Sequence, residues 1–409
     1  MKYNNGLTSI LINNENSLTA SAIVFVRVGS VDEKSPQAGL SHFIEHLMFK
    51  GSKNYPGDSF SKNVENFGGE INAATSKEFT MYYINVQKDF VEKSLKMLAD
   101  TMQNPLFPKD EIAKERKVVI EEIQRHFDNP GSVLYEKFYE AIYKTSALKN
   151  SVIGTSDVIS NISFEEIYEY YRTHYVPEKM LVVVSGGFDK EKVEEVIGNT
   201  FAKFEKQKVP SEPLLKEKNR AGKNIIKYGK VEVGYMLSGF LASDIDDEDL
   251  YVADLATDIL GGGKSSRLYK FLYEKEHLVY AIDASFSVEK GGGNIYIASV
   301  FDPKNIKKIK KEIEKQIEDI IANGISGEEL NRSKILLKTD WQFSNETPYD
   351  VADKFGYWNL MGNAEFVYSY LRNLQDLTSK DVVEFFKKYY SKDAISHTAI
   401  VPNKKLLLI

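Results

Sequence analysis

Residues 39–52 read GLSHFIEHLMFKGS and contain His42-x-x-Glu45-His46. On a helix, His42 and His46 at i and i+4 share one face, and Glu45 at i+3 lies beside His42. Two imidazoles one turn apart can aim nitrogen lone pairs at one Zn²⁺, at about 2.0–2.1 Å. Glu45 then stands near a metal-polarised water without having to ligate the metal. Zinc lowers the pKa of such a water towards about 7, and a carboxylate can take its remaining proton as the oxygen attacks a carbonyl. This is the reversed form of the HExxH arrangement. A plain exposed polar turn fits badly, because Leu40, Phe43, Ile44, Leu47, Met48 and Phe49 surround the trio. A polar face on an otherwise apolar helix needs a partner or a metal.

A catalytic zinc takes three protein ligands and keeps a fourth position open. The chain has no Cys and six His: His42, His46, His126, His174, His277 and His397. The third ligand is therefore expected to be a carboxylate. The acidic segment 109–127 (KDEIAKERKVVIEEIQRHF) supplies the candidates. Its apolar stripe is Ile112, Val119 and Ile123, with Val118 beside it. Glu115 and Glu122, seven apart, share one face at the border of that stripe, whereas Glu111 and Glu121 point elsewhere. Spacing alone leaves Glu115 and Glu122 tied.

The elements that must hold these residues are read from periodicity. Segments 20–29, 70–75, 79–87 and 180–186 are predicted strands, with Ser76-Lys77-Glu78 as a turn. Segments 37–50, 88–103, 109–127, 163–174 and 189–200 are predicted helices. Asn104-Pro105 and Asn129-Pro130 stop two of them. The polar stretch 205–223, with two Pro and repeated Lys and Glu, is a predicted linker. Residues 161–175 align with 376–390 at a constant offset of 215, each with a cap signal (Ser163, Thr378), a closing aromatic pair and a following apolar strand. The expected fold class is α+β. Two homologous domains, each a mainly antiparallel sheet flanked by helices, occupy 1–207 and 223–409 with a linker at 208–222.

Composition bounds the function. The 409 residues carry a net charge of −6, which argues against a general nucleic-acid binder. Without Cys there are no disulfides and no thiolate metal or redox sites. No run of about 18 apolar residues occurs, so no membrane span is expected, and cytoplasmic is the expected location. GGGKSSR (261–267) fails as a phosphate loop, because Asp258 stands at the first glycine position and the segment lies between helices. GGGN (291–294) is predicted to be a hairpin turn.

Three segments together resemble a known family: GLSHFIEHLMFKGSKNYP (39–56), GGEINAATSKEFTMYY (68–83) and ERKVVIEE (115–122). The resemblance is to the insulinase/pitrilysin family of inverted-zincin metallopeptidases. Within it, the short two-domain form fits, similar to the β subunit of mitochondrial processing peptidase and its bacterial relatives. It extends over essentially the whole chain.

The resemblance implies a zinc endopeptidase with one Zn²⁺ per chain, held by His42, His46 and Glu122, with Glu45 as general base. Glu122 follows His46 by 76 residues, the family's interval for the third ligand. Glu115 matches an acid that supports the ligands. Asn72 and Ala73 match the segment where a peptide substrate adds as a strand to a sheet edge, a mode that tolerates varied sequences. Tyr280 matches a C-terminal-domain Tyr that holds substrate, but Tyr273 stands where the family has Arg. Arg267, two helical turns away, is not read as its substitute. In two-subunit relatives a homologous partner supplies that pair, so a homodimer or heterodimer enclosing a chamber is implied. The alternative is a non-catalytic or partner-dependent subunit of such an assembly. The second half contains no HxxEH, so only the first domain is expected to carry metal.

Overall fold

The computed structural model describes residues 1–206, 215–217 and 221–403. Contacts divide the chain into two compact units. The first comprises Met1–Gln124, Asn150–Pro213 and Gln342–Val367; the second comprises Arg125–Lys149, Leu214–Trp341 and Tyr368–Ile409.

In the first unit, strands β1 (Thr8–Asn13), β2 (Thr19–Val26), β3 (Glu70–Thr75), β4 (Thr80–Gln87) and β5 (Met180–Gly186) form one sheet in the order β1-β5-β2-β4-β3. Only the β1–β5 pairing is parallel. Every residue of β5, and all of β2 after Thr19, is buried. Continuous burial of this kind requires cover on both faces. One face packs Val24, Val26, Tyr82 and Val182 against Phe43, Leu47, Leu95 and Leu98 of the helices. The other packs Ile23, Phe25, Met81 and Val183 against the helix Pro348–Met361 through Ala352.

The second unit repeats this plan. Strands β6 (Asn224–Gly229), β7 (Gly234–Leu241), β8 (Val279–Ser287), β9 (Asn294–Phe301) and β10 (Ser396–Pro402) run in the order β6-β10-β7-β9-β8. The helix Leu250–Gly261 covers one face through β8, and the helix Pro130–Ile142 lies on β7 and β10. Each sheet is thus backed by one helix drawn from the other half of the sequence. A division into 1–207 and 223–409 assigns those two helices differently from the compact units. The reason is physical: an apolar helix face is buried wherever a sheet is open, not where the sequence is contiguous. The linker expected at 208–222 falls largely outside the described residues.

The repeated segments form the helices Phe164–His174 and Ser379–Tyr389. Both open with a capping box, on Ser163 and on Thr378, and β5 and β10 follow them. Residues 288–293, which include Gly291–Gly293, link β8 to β9, and residues 262–268 separate the helix Leu250–Gly261 from a π-helical turn, Tyr269–Lys275. Among the described residues no helix is long and apolar enough to cross a membrane.

Candidate metal centre

The HxxEH helix spans Leu40–Met48, starting later than 37 because residues 35–37 form a separate 3-10 turn. Gly39 precedes it with φ +90°, a left-handed conformation that L side chains resist. A Cβ there would lie 2.7 Å from the Ile153 carbonyl oxygen. Glu33 closes the helix start, accepting from the Gly39 amide at 2.7 Å and the Ser41 amide at 2.8 Å. Burial pushes its carboxyl up to about 7, against those two hydrogen bonds. Ser41 Oγ meets Tyr170 Oη at 2.8 Å, tying this helix to Phe164–His174. Leu40, Phe43, Ile44, Leu47 and Met48 are buried, so the polar trio holds the remaining face.

The second contributing helix, Lys109–Asp128, is seated by Ile112, Val119 and Ile123, all buried, while Val118 is exposed. Arg116 fixes its position: the guanidinium donates to the carbonyls of Ile159 and Ile162 and lies 5.6 Å from the Phe43 ring centre. Phe43 sits next to His42, so one contact aligns the two helices.

That alignment brings three donors together. Glu122 Oε2 lies 3.5 Å from His46 Nε2 and 3.9 Å from His42 Nε2. One ligand atom from each of these residues lies within 4.8 Å of the others. Tetrahedral zinc with bonds of about 2.0–2.1 Å places its donors roughly 3.3 Å apart, and Glu122 already stands within an ångström of that separation from both imidazoles.

Glu115, the other member of the sequence tie, does not join the triad. Its Oε2 lies 3.2 Å from His46 Nδ1, and its Oε1 lies 2.8 Å from Lys50 Nζ. A carboxylate on Nδ1 fixes the tautomer that keeps the Nε2 lone pair for a metal. Glu115→Gln is expected to weaken zinc binding about 10–100-fold while leaving the ligand set intact, as measured by competition with a chromogenic chelator.

Glu45 lies on the same helix, and Thr75 Oγ1 donates to its Oε2 at 2.6 Å. Burial raises the Glu45 pKa, and the Thr75 hydrogen bond opposes that shift. Thr75 is the last residue of β3, the strand that carries Asn72 and Ala73. β3 ends the strand order and, among the described residues, pairs only with β4, leaving its other edge without a sheet partner. Thr75→Val is expected to lower kcat about tenfold with little change in KM, the loss of one hydrogen bond to a charged group. Thr75→Ser should restore it.

Glu111 pairs with Lys114 and stays outside the cluster. Tyr280 is exposed on β8 in the second unit, and Tyr273 stacks on Tyr269 at 4.6 Å in the π-helical turn. Arg267 is committed to Glu329, Asp319 and the Gly324 carbonyl, which agrees with not reading it as a stand-in at position 273. Thr75 and Lys50 carry no signal in the HxxEH spacing. Thr75 ends the segment NAAT, and Lys50 lies four residues beyond His46, the only hints that the sequence holds.

Residues 8–156 match the family described as Insulinase (Peptidase family M16), and residues 161–337 match Peptidase M16 inactive domain. The chain is 31% identical to an uncharacterized zinc protease of Rickettsia felis over 87% of this chain and 85% of that one. It is 29% identical to the zinc protease PqqE of Helicobacter pylori over 97% of this chain and 91% of that one. A crystal structure of a protease from Helicobacter pylori superposes with a TM-score of 0.93 at 27% identity, covering 98% of both chains.

Proposed function

The chain belongs to the insulinase family, peptidase family M16, and from that premise we propose that it is a zinc-dependent endopeptidase acting on peptides or unfolded segments. The observation that carries this reading is the convergence of His42, His46 and Glu122 beside the half-buried carboxylate of Glu45. Zinc, when bound, supplies Lewis-acid polarisation of the scissile carbonyl and a water acidic enough to lose a proton near neutrality. His42, His46 and Glu122 would hold the ion, and Glu115 with Lys50 holds His46 in register. Glu45 takes the proton from the attacking water and returns one to the departing amine. Thr75 keeps that carboxylate in one orientation. The open edge of β3, at Asn72 and Ala73, offers backbone groups to an extended substrate, and Tyr280, exposed on its own strand, is the substrate-holding residue that the family pattern assigns.

Tyr273, at the family's Arg position, favours a second reading of the same site: activity that depends on a homologous partner chain which closes the chamber and brings the Arg. Quenched peptides incubated with the zinc-loaded full chain separate the two. Cleavage by the chain alone supports the first. Silence alone, with cleavage on adding an Arg-bearing homologous chain, supports the second. No cleavage in either arm overturns both and leaves a non-catalytic assembly role.

A further inference from the structure

The two units can be compared residue by residue, because each packs one helix on an equivalent sheet face. In the first unit a Cβ on Gly356 would overlap the Phe25 ring; in the second a Cβ on Gly239 would lie 2.7 Å from Phe138 Cζ. The same helix–strand crossing is therefore built with the large and small partners exchanged. It makes Gly356 the counterpart of Phe138, and Phe25 the counterpart of Gly239.

From that anchor the register follows in both directions. Seven residues earlier on the helices, Tyr349 corresponds to Gly131. Two residues earlier on the strands, Ile23 corresponds to Leu237. Their cross-strand partners, Tyr83 and Ala298, then correspond as well. In the first unit Tyr83 and Tyr349 pack against each other with ring centres 4.5 Å apart. In the second unit both rings are gone, replaced by Ala298 and Gly131. Both of these residues line a cavity of about 300 Å³, together with Leu134, Tyr135, Leu237 and Asp283.

Asp283 is the direct cross-strand partner of Ala298, so its Cβ stands about 5 Å from the position of a missing ring. Its counterpart beside Tyr83 is Asn72, which is neutral. No cation pairs with Asp283 among the described residues; Ser285 Oγ donates to it at a long 3.4 Å. Asp283 is exposed at the mouth of this open cleft, and partial desolvation raises its pKa against hydrogen bonds from Ser285 and the Gly263 backbone. The remaining wall is apolar, and Tyr135 presents an aromatic ring that also meets Tyr296 edge-on at 5.7 Å.

We propose that this cavity is a binding site for a small aromatic amine, whose ring takes the space filled by tyrosines in the first unit and whose ammonium pairs with Asp283. The volume is at the lower end for ligand sites and suits a one-ring molecule. The site is independent of the zinc reading, since none of its residues belongs to the metal cluster.

Calorimetric titration of the full chain tests it with three probes: tyramine, p-cresol, which keeps the ring, and ethylamine, which keeps the charge. Tyramine is expected to bind with a Kd of about 0.1–1 mM, at least tenfold tighter than either fragment. Asp283→Asn should weaken tyramine about tenfold or more without changing p-cresol. Ala298→Tyr, which refills the space, should abolish binding of tyramine while the circular dichroism spectrum stays unchanged. No heat of binding with tyramine at 10 mM, or equal affinity for tyramine and p-cresol, would overturn the proposal. So would binding of tyrosyl-glycyl-glycinamide without binding of tyramine, which would make the ligand a peptide terminus.

Discussion

Glu45→Gln should keep a full equivalent of zinc and lose kcat by about 10²–10⁴-fold, the range for removing a general acid–base group. The substitution is nearly isosteric, and the amide oxygen can still accept from Thr75 Oγ1, now 2.6 Å from the carboxylate. What it removes is the capacity to take a proton from water and hand it on. His42, His46 and Glu122 are untouched, so zinc content by atomic absorption stays at the wild-type value. KM should move little, because the open edge of β3 is unchanged, and a fall confined to kcat marks an interaction made in the transition state. A Glu45→Gln chain with activity within tenfold of wild type would remove Glu45 from the mechanism. The result is read in whichever arrangement supports cleavage, the lone chain or the mixed assembly.

How much of this was legible in the sequence depended on range. His42, Glu45 and His46 are related by helical period alone, and their placement on one face follows from local geometry. The choice between Glu115 and Glu122 does not, because residues seven apart on a helix share a face. What separates them is the axial position of Lys109–Asp128 against Leu40–Met48, fixed by Arg116 and Phe43 across a tertiary contact. Only family resemblance carried that information before the structure. Thr75 was invisible for the same reason: its partner lies 30 residues away on a different kind of element.

The fold divides similarly. Capping boxes at Ser163 and Thr378 and the Pro stops are local signals, and they marked helix limits well. The strand β1, parallel to β5 from the far end of the first half, had no such signal. Neither did the exchange of Pro130–Ile142 and Pro348–Met361 between the units. Periodicity says that a helix buries a face, but it does not name the sheet. The repeat at offset 215 nonetheless pointed to two related sheets, and it is their equivalence that exposes the two missing rings behind Ala298 and Gly131.

Glu122→Gln is expected to abolish stoichiometric zinc binding and, with it, hydrolysis. The binding energy of a protein zinc site is about 10–16 kcal/mol, so one of three donors accounts for roughly 3–5 kcal/mol, a weakening on the order of 10³-fold. The contrast with Glu115→Gln is the informative part. Both carboxylates lie within 3.5 Å of His46, one facing Nε2 and the other Nδ1. If Glu122 is the ligand and Glu115 the support, their variants separate by at least tenfold in zinc affinity; equal affinities would reverse or merge the assignments. Thermal unfolding supplies a readout free of activity. A ligand present at 1,000 times its Kd stabilises the folded chain by about 4 kcal/mol, so chelation should lower the melting temperature of the wild type. The Glu122→Gln chain should melt at the chelated wild-type temperature with or without chelator, because it has no bound ion to lose. A zinc-dependent melting shift that survives the substitution would place the third ligand elsewhere.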